Sequence, residues 1–130
     1  MRLLLDTHAL LWALLEPDYL SAEAAEAIAD GKNQVLISAA SAFEIALKQT
    51  IGKLRLPGPA REWLPDRVGL LGETSWLPVS EQHALCAGGL PLLHRDPFDR
   101  LLIAQALEEG LTLVSRDRHL AQYGVSILTA

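Results

Sequence analysis

Asp6, Glu44, Asp99 and Asp117 are the residues of this chain best placed to do chemistry. Each falls where a short apolar run meets a following helical pattern, and a parallel α/β fold gathers such positions at one end of its sheet. Carboxylates held close repel one another strongly. A hard divalent cation relieves that repulsion, and a cation held by carboxylates is a tool for cutting phosphodiesters. Ligation by oxygen alone suits Mg²⁺, with Mn²⁺ as the alternative, rather than zinc.

Each acid also has a plain structural explanation. Asp6 ends the first strand and can cap the helix that follows. Glu44 stands three residues after Ser41, the spacing of a capping box, but Ser38 is the more natural cap and leaves Glu44 in the second turn. Lys48, at i+4, is then the ordinary partner for Glu44 and a metal the other one. Asp96-Pro97 reads as an N-cap followed by an N1 proline, so Asp96 is assigned to structure. Asp99 sits at N3, where an acid also complements the helix dipole. Asp117 can cap a last helical turn.

Strands are expected at Arg2 to Leu5, Val35 to Ile37, Thr74 to Val79, Leu111 to Ser115 and Val125 to Leu128. Helical patterns run from Thr7 to Leu15, Ala22 to Ala29, Ser38 to about Thr50, and Ala60 to Leu71 with a break or restart at Pro65. Two more run from Ser80 to about Ala87 and from Asp96 to Glu109, the last stopped by Gly110. Strands alternating with helices imply crossovers and a mainly parallel sheet. With 130 residues and no linker or repeat, the whole chain 1–130 reads as one domain.

Half of the residues are hydrophobic, enough for a sheet buried under helices, yet no apolar run approaches the roughly 20 residues of a membrane span. The start, Met1-Arg2-Leu3-Leu4-Leu5-Asp6, lacks the pattern of a signal peptide. Cys86 is the single cysteine and has no disulfide partner, which fits a reducing cytoplasm. The formal net charge of −5 argues against a nucleic-acid partner, but Arg95, Arg100, Arg116 and Arg118 cluster around Asp96, Asp99 and Asp117. With the acids neutralised by metal, Arg100, Arg116 or Arg118 is free to steady a phosphate. The histidines (His8, His83, His94, His119) lack i, i+4 pairing, so they read as structural, with His94 orienting its loop. Trp12, Trp63 and Trp76 read as core or interface anchors.

At these residues the chain resembles the PIN-domain ribonucleases, most closely the toxin component of VapBC-type toxin–antitoxin pairs. The matching segments are Leu3-Leu4-Leu5-Asp6-Thr7-His8-Ala9-Leu10-Leu11-Trp12, Ser41-Ala42-Phe43-Glu44-Ile45-Ala46-Leu47-Lys48, His94-Arg95-Asp96-Pro97-Phe98-Asp99-Arg100-Leu101-Leu102-Ile103-Ala104-Gln105-Ala106 and Leu113-Val114-Ser115-Arg116-Asp117. The resemblance implies a three-layer α/β/α fold and Mg²⁺- or Mn²⁺-dependent endonucleolytic cleavage of RNA, with Asp6, Glu44, Asp99 and Asp117 as the catalytic, metal-holding quartet. It also implies a homodimer, and inhibition by a small VapB-type antitoxin in a higher assembly.

Other classes fit less well. A phosphoacceptor receiver domain needs a late lysine, and none follows Lys53. An aspartyl-nucleophile phosphatase needs a second aspartate two residues after Asp6, where His8 stands. The non-enzymatic alternative is a catalytically silent PIN-fold module that binds a partner.

Overall fold

The computed structural model describes all 130 residues. Five strands, β1 (Arg2–Leu5), β2 (Gln34–Ser38), β3 (Thr74–Leu77), β4 (Thr112–Ser115) and β5 (Ser126–Thr129), form one sheet. Their order is β3-β2-β1-β4-β5, and every neighbouring pair is parallel. Six α-helices cover it: α1 (Thr7–Leu15), α2 (Ala22–Ala29), α3 (Ala39–Thr50), α4 (Ala60–Gly69), α5 (Glu81–Gly89) and α6 (Pro97–Glu109). Short 3₁₀ turns at Pro17–Tyr19 and Arg118–Tyr123 complete the chain.

The period-two geometry of a strand explains the three layers. Leu3 and Leu5 of β1, Val35 and Ile37 of β2, and Val114 of β4 face one side, packed with Ala9, Leu10, Ala24, Ile45 and Leu64 from α1 to α4. Leu4, Leu36 and Leu113 face the other side, against Leu102, Ile103 and Ala106 of α6. Leu3, Leu4 and Leu5 are all fully buried, as a central parallel strand requires. Each contributes roughly 1.5–3 kcal/mol by burial.

Caps fix where the helices start. Asp6 Oδ1 accepts from the Ala9 amide at 2.7 Å, Ser38 Oγ from Ala40 at 3.0 Å, and Asp96 Oδ1 from Phe98 and Asp99 at 2.9 and 3.1 Å. Gly110 ends α6 with φ +66°, a conformation that costs glycine little. Most element ends shift by one or two residues from the sequence reading, and three differences are larger or bear on the packing. Helix α4 runs unbroken through Pro65, because buried Leu64 and Val68 on its inner face hold it to the sheet. Strand β3 stops at Leu77, since Pro78 has no N–H for the ladder. Helix α5 continues two residues past Ala87, to Gly89.

The strand order decides where a ligand can sit. From β1 the sheet grows outward through β2 to β3; the chain then crosses back past β1 and adds β4 and β5 on the other side. Beyond the carboxyl ends of β1 and β4, the flanking connections diverge and leave a crevice. Buried Gln105 of α6 braces it from the β2 side, accepting from Ser38 Oγ at 2.6 Å and donating to the Pro78 carbonyl at 3.2 Å.

Candidate active site

Asp6 directly follows β1, and Asp117 lies two residues beyond β4, so the crevice receives both. Asp99 enters from the first turn of α6. The three aspartates line one cleft of about 420 Å³, together with His8, Trp12, Ser115, Arg116 and Leu120. Asp6 is almost fully buried. Asp99 Oδ2 accepts from His94 Nε2 at 2.7 Å, and Asp117 Oδ1 accepts from the His119 amide at 3.0 Å.

Glu44 is beside this group and not in the cleft lining. Its Oε1 accepts from the Thr7 hydroxyl at 2.7 Å, and its Oε2 meets Lys48 Nζ at 2.5 Å. Lys48 is in place as the ordinary partner of Glu44 that the i+4 spacing leads one to expect. That hydrogen bond pushes the Lys48 ammonium above its ordinary range. Thr7, the residue after Asp6, thereby ties the fourth acid to the rim of the cleft.

Arg100 corrects the sequence reading. Its side chain turns inward, where its guanidinium donates to the carbonyls of Leu90 (2.7 Å), Ala87 (2.8 Å), Pro91 (2.9 Å), His94 (3.1 Å) and Gly88 (3.4 Å). It is a buried clamp on the segment between α5 and α6, with both terminal amino groups committed to carbonyls, and it does not line the cleft. Arg118 is exposed and outside the cleft lining. Arg116 alone of the three lines it, its guanidinium 4.1 Å over the ring of Trp12. His94 does orient its surroundings, as expected, but its partner is Asp99 and not Asp96.

Burial pushes the Asp6 carboxyl above its ordinary range, with the charge of Asp99 adding to the rise and Ser115, Ala9 and His8 opposing it. Burial does the same to Asp99, with Asp96 and Glu44 adding and His94 opposing. A carboxyl raised in the folded state costs stability once it is ionised. The cost is complete above the raised value and absent below the ordinary carboxylate range. Asp6→Asn, which keeps a competent cap, is therefore expected to melt above the metal-free wild type at neutral pH. The gap should narrow on acidification toward the ordinary carboxylate range; a gap that stays constant across thermal melts would rule out the buried carboxylate as its source.

The donor set suits a hard cation: all its oxygens are carboxylate or hydroxyl, and the charge of Asp99 adds to the cost of ionising Asp6. No three acidic, histidine or cysteine side chains already converge as a finished ligand set. Lys48 occupies one oxygen of Glu44.

A crevice of this kind, with an aspartate after the central strand and another after its late neighbour, fits a defined class of protein. The PIN domain family model matches residues 3–125, and this chain belongs to that family. Among its relatives, Ribonuclease VapC22 of Mycobacterium tuberculosis (strain ATCC 25618 / H37Rv) is 33% identical over 121 residues, spanning 92% of this chain and 90% of the relative. Ribonuclease VapC16 of the same organism is 42% identical over 57 residues, 44% of this chain and 38% of the relative. In fold, the chain is similar to DNA-bound VapBC from Salmonella typhimurium, with a TM-score of 0.71 at 18% identity over 98% of this chain and 97% of that one. VapBC2 from Rickettsia felis, bound to a promoter DNA fragment, gives 0.70 at 17% identity over 98% of each chain.

Proposed function

We propose that this protein is a metal-dependent endoribonuclease that hydrolyses RNA phosphodiesters and serves as the toxin of a toxin–antitoxin pair. The observation that carries the reading is the convergence of Asp6, Asp99 and Asp117 on one cleft at the point where the strand order reverses. Its relatives named as ribonucleases, one aligned over nearly the whole chain, support the RNA substrate.

Asp6 and Asp99 are the central ligands for Mg²⁺ or Mn²⁺, with Asp117 and Glu44 completing the set directly or through water. Such an ion supplies an activated water and shields the leaving oxygen. The protein positions the rest. Ala9 N–H fixes one oxygen of Asp6, His94 fixes one oxygen of Asp99, and each carboxylate keeps a second oxygen for the cation. Thr7 and Lys48 fix the position of the Glu44 carboxylate beside the cleft, outside the space a phosphate needs.

As a toxin the chain works as a homodimer with a VapB-type antitoxin, in keeping with the toxin–antitoxin complexes whose fold it shares. Phe43 and Leu47 of α3 and Ile51 just past its end recur every four residues, all exposed, and supply an apolar face for that partner. Purified protein is expected to cut a mixed RNA pool in Mg²⁺ or Mn²⁺ and to stop in EDTA, read on a denaturing gel. One observation favours the silent binding module instead: Lys48 already neutralises Glu44. Intact RNA under every metal would establish that reading.

A further inference from the structure

We propose that His8, Trp12 and Arg116 form a binding subsite for a nucleotide flanking the bond that is cut, stacking its base and holding its phosphate. The inference rests on the RNA-cleaving reading and names the part of the cleft that grips the substrate.

The three residues share the cleft with the aspartates. His8 and Trp12 are one helical turn apart on α1, with ring centroids 5.9 Å apart and planes tilted by 39°. Trp12 is held from two further directions, by the edge of Tyr19 at 6.4 Å and by the Arg116 guanidinium over its ring. Arg116 is itself fixed: Nε and Nη2 donate to the Ala130 carbonyl at 3.3 and 3.2 Å, and Nη2 also donates to the Tyr19 carbonyl. This wall is rigid before any substrate arrives.

Two groups of the wall have no partner within the fold. Arg116 commits Nε and Nη2 to the Ala130 and Tyr19 carbonyls, and its Nη1 has no hydrogen-bonding partner within the fold. His8 is exposed, and its ring nitrogens have no hydrogen-bonding partner. A guanidinium with an open amino group beside aromatic rings is the arrangement that takes single-stranded nucleic acid, by stacking on any base and attracting its phosphate. The need is real for this chain. At a net charge of −5 it lacks the broad positive surface that usually supplies RNA affinity, so the grip must be local. The cleft, about 420 Å³, lies within the range of roughly 300–1,000 Å³ typical of ligand pockets.

The test pairs protein variants with substrate lesions. Once a cleavage position is mapped on a short RNA, the same RNA is made with one abasic nucleotide at each neighbouring position in turn. On intact RNA, Trp12→Ala is expected to raise KM roughly tenfold with little change in kcat, as loss of one stacked base implies. On the RNA that lacks the stacked base, wild type should lose the same factor and Trp12→Ala nothing further. His8→Ala, at an exposed ring that the fold does not need, gives a smaller loss of the same pattern and stands if Trp12→Ala does not fold. Losses that multiply at every abasic position, or unchanged KM in both variants, would overturn the subsite and leave the nuclease intact. Wild type that cuts no RNA removes the nuclease reading itself.

Discussion

Asparagine in place of Asp6 is expected to slow RNA cleavage by roughly 10³-fold or more and to leave the fold intact. The rate effect follows from the proposed role: a cation in a phosphodiester site is worth several kcal/mol of transition-state stabilisation, and each 1.36 kcal/mol is tenfold. The stability effect follows from what the side chain does in the fold. Asp6 caps α1 through Ala9 N–H, and asparagine caps as well as aspartate does. The substitution also removes a buried charge next to Asp99. Activity and melting temperature should therefore move apart, and binding of Mg²⁺ followed by calorimetry should weaken with activity. Turnover equal to wild type would remove Asp6 from the site.

Arg100→Ala is expected to be the most destabilising single change near the site, by about 3 kcal/mol. Hydrogen bonds to a charged group are worth roughly 1.5–3 kcal/mol each, and partial rehydration of the freed carbonyls reduces the sum. Five carbonyls between Ala87 and His94 lose their donor at once. Lysine should rescue little, because three donors on one point cannot span that arc. Since the clamped segment carries His94 to Asp99, activity should fall roughly 10- to 100-fold, the usual cost of loosening support behind a metal ligand. Urea denaturation checks the first claim, and a midpoint matching wild type would mean that the segment holds itself.

Local chemistry made much of the fold legible in the sequence. Ser38, Ser80 and Asp96 are caps in the structure because a short polar side chain before an apolar helical pattern has few other uses. The buried run Leu3 to Leu5 ending in Asp6 marked a buried strand for the same kind of reason, and the sheet order places it at the centre. The direction of long side chains was not legible. Arg100 and Arg116 each stand next to an acid in the chain, yet one turns into the protein and the other stacks on Trp12, and only the packing of α5, α6 and α1 decides which. Likewise, nothing in the local pattern distinguishes Asp96 from Asp99 as the partner of His94. His83 completes the cap of α5, its Nδ1 accepting from the Ser80 amide, a role the usual capping box gives to Glu or Gln.

The strand order also sets a timetable. β1 emerges first from the ribosome, but the neighbour that closes the crevice on its far side, β4, emerges near the end, and Asp117 follows it. At ordinary synthesis rates of roughly 5–20 residues per second, the first and last aspartates of the cleft are made several seconds apart. Through that interval the crevice lacks one of its walls, because no half of this sheet brings Asp6 and Asp117 together.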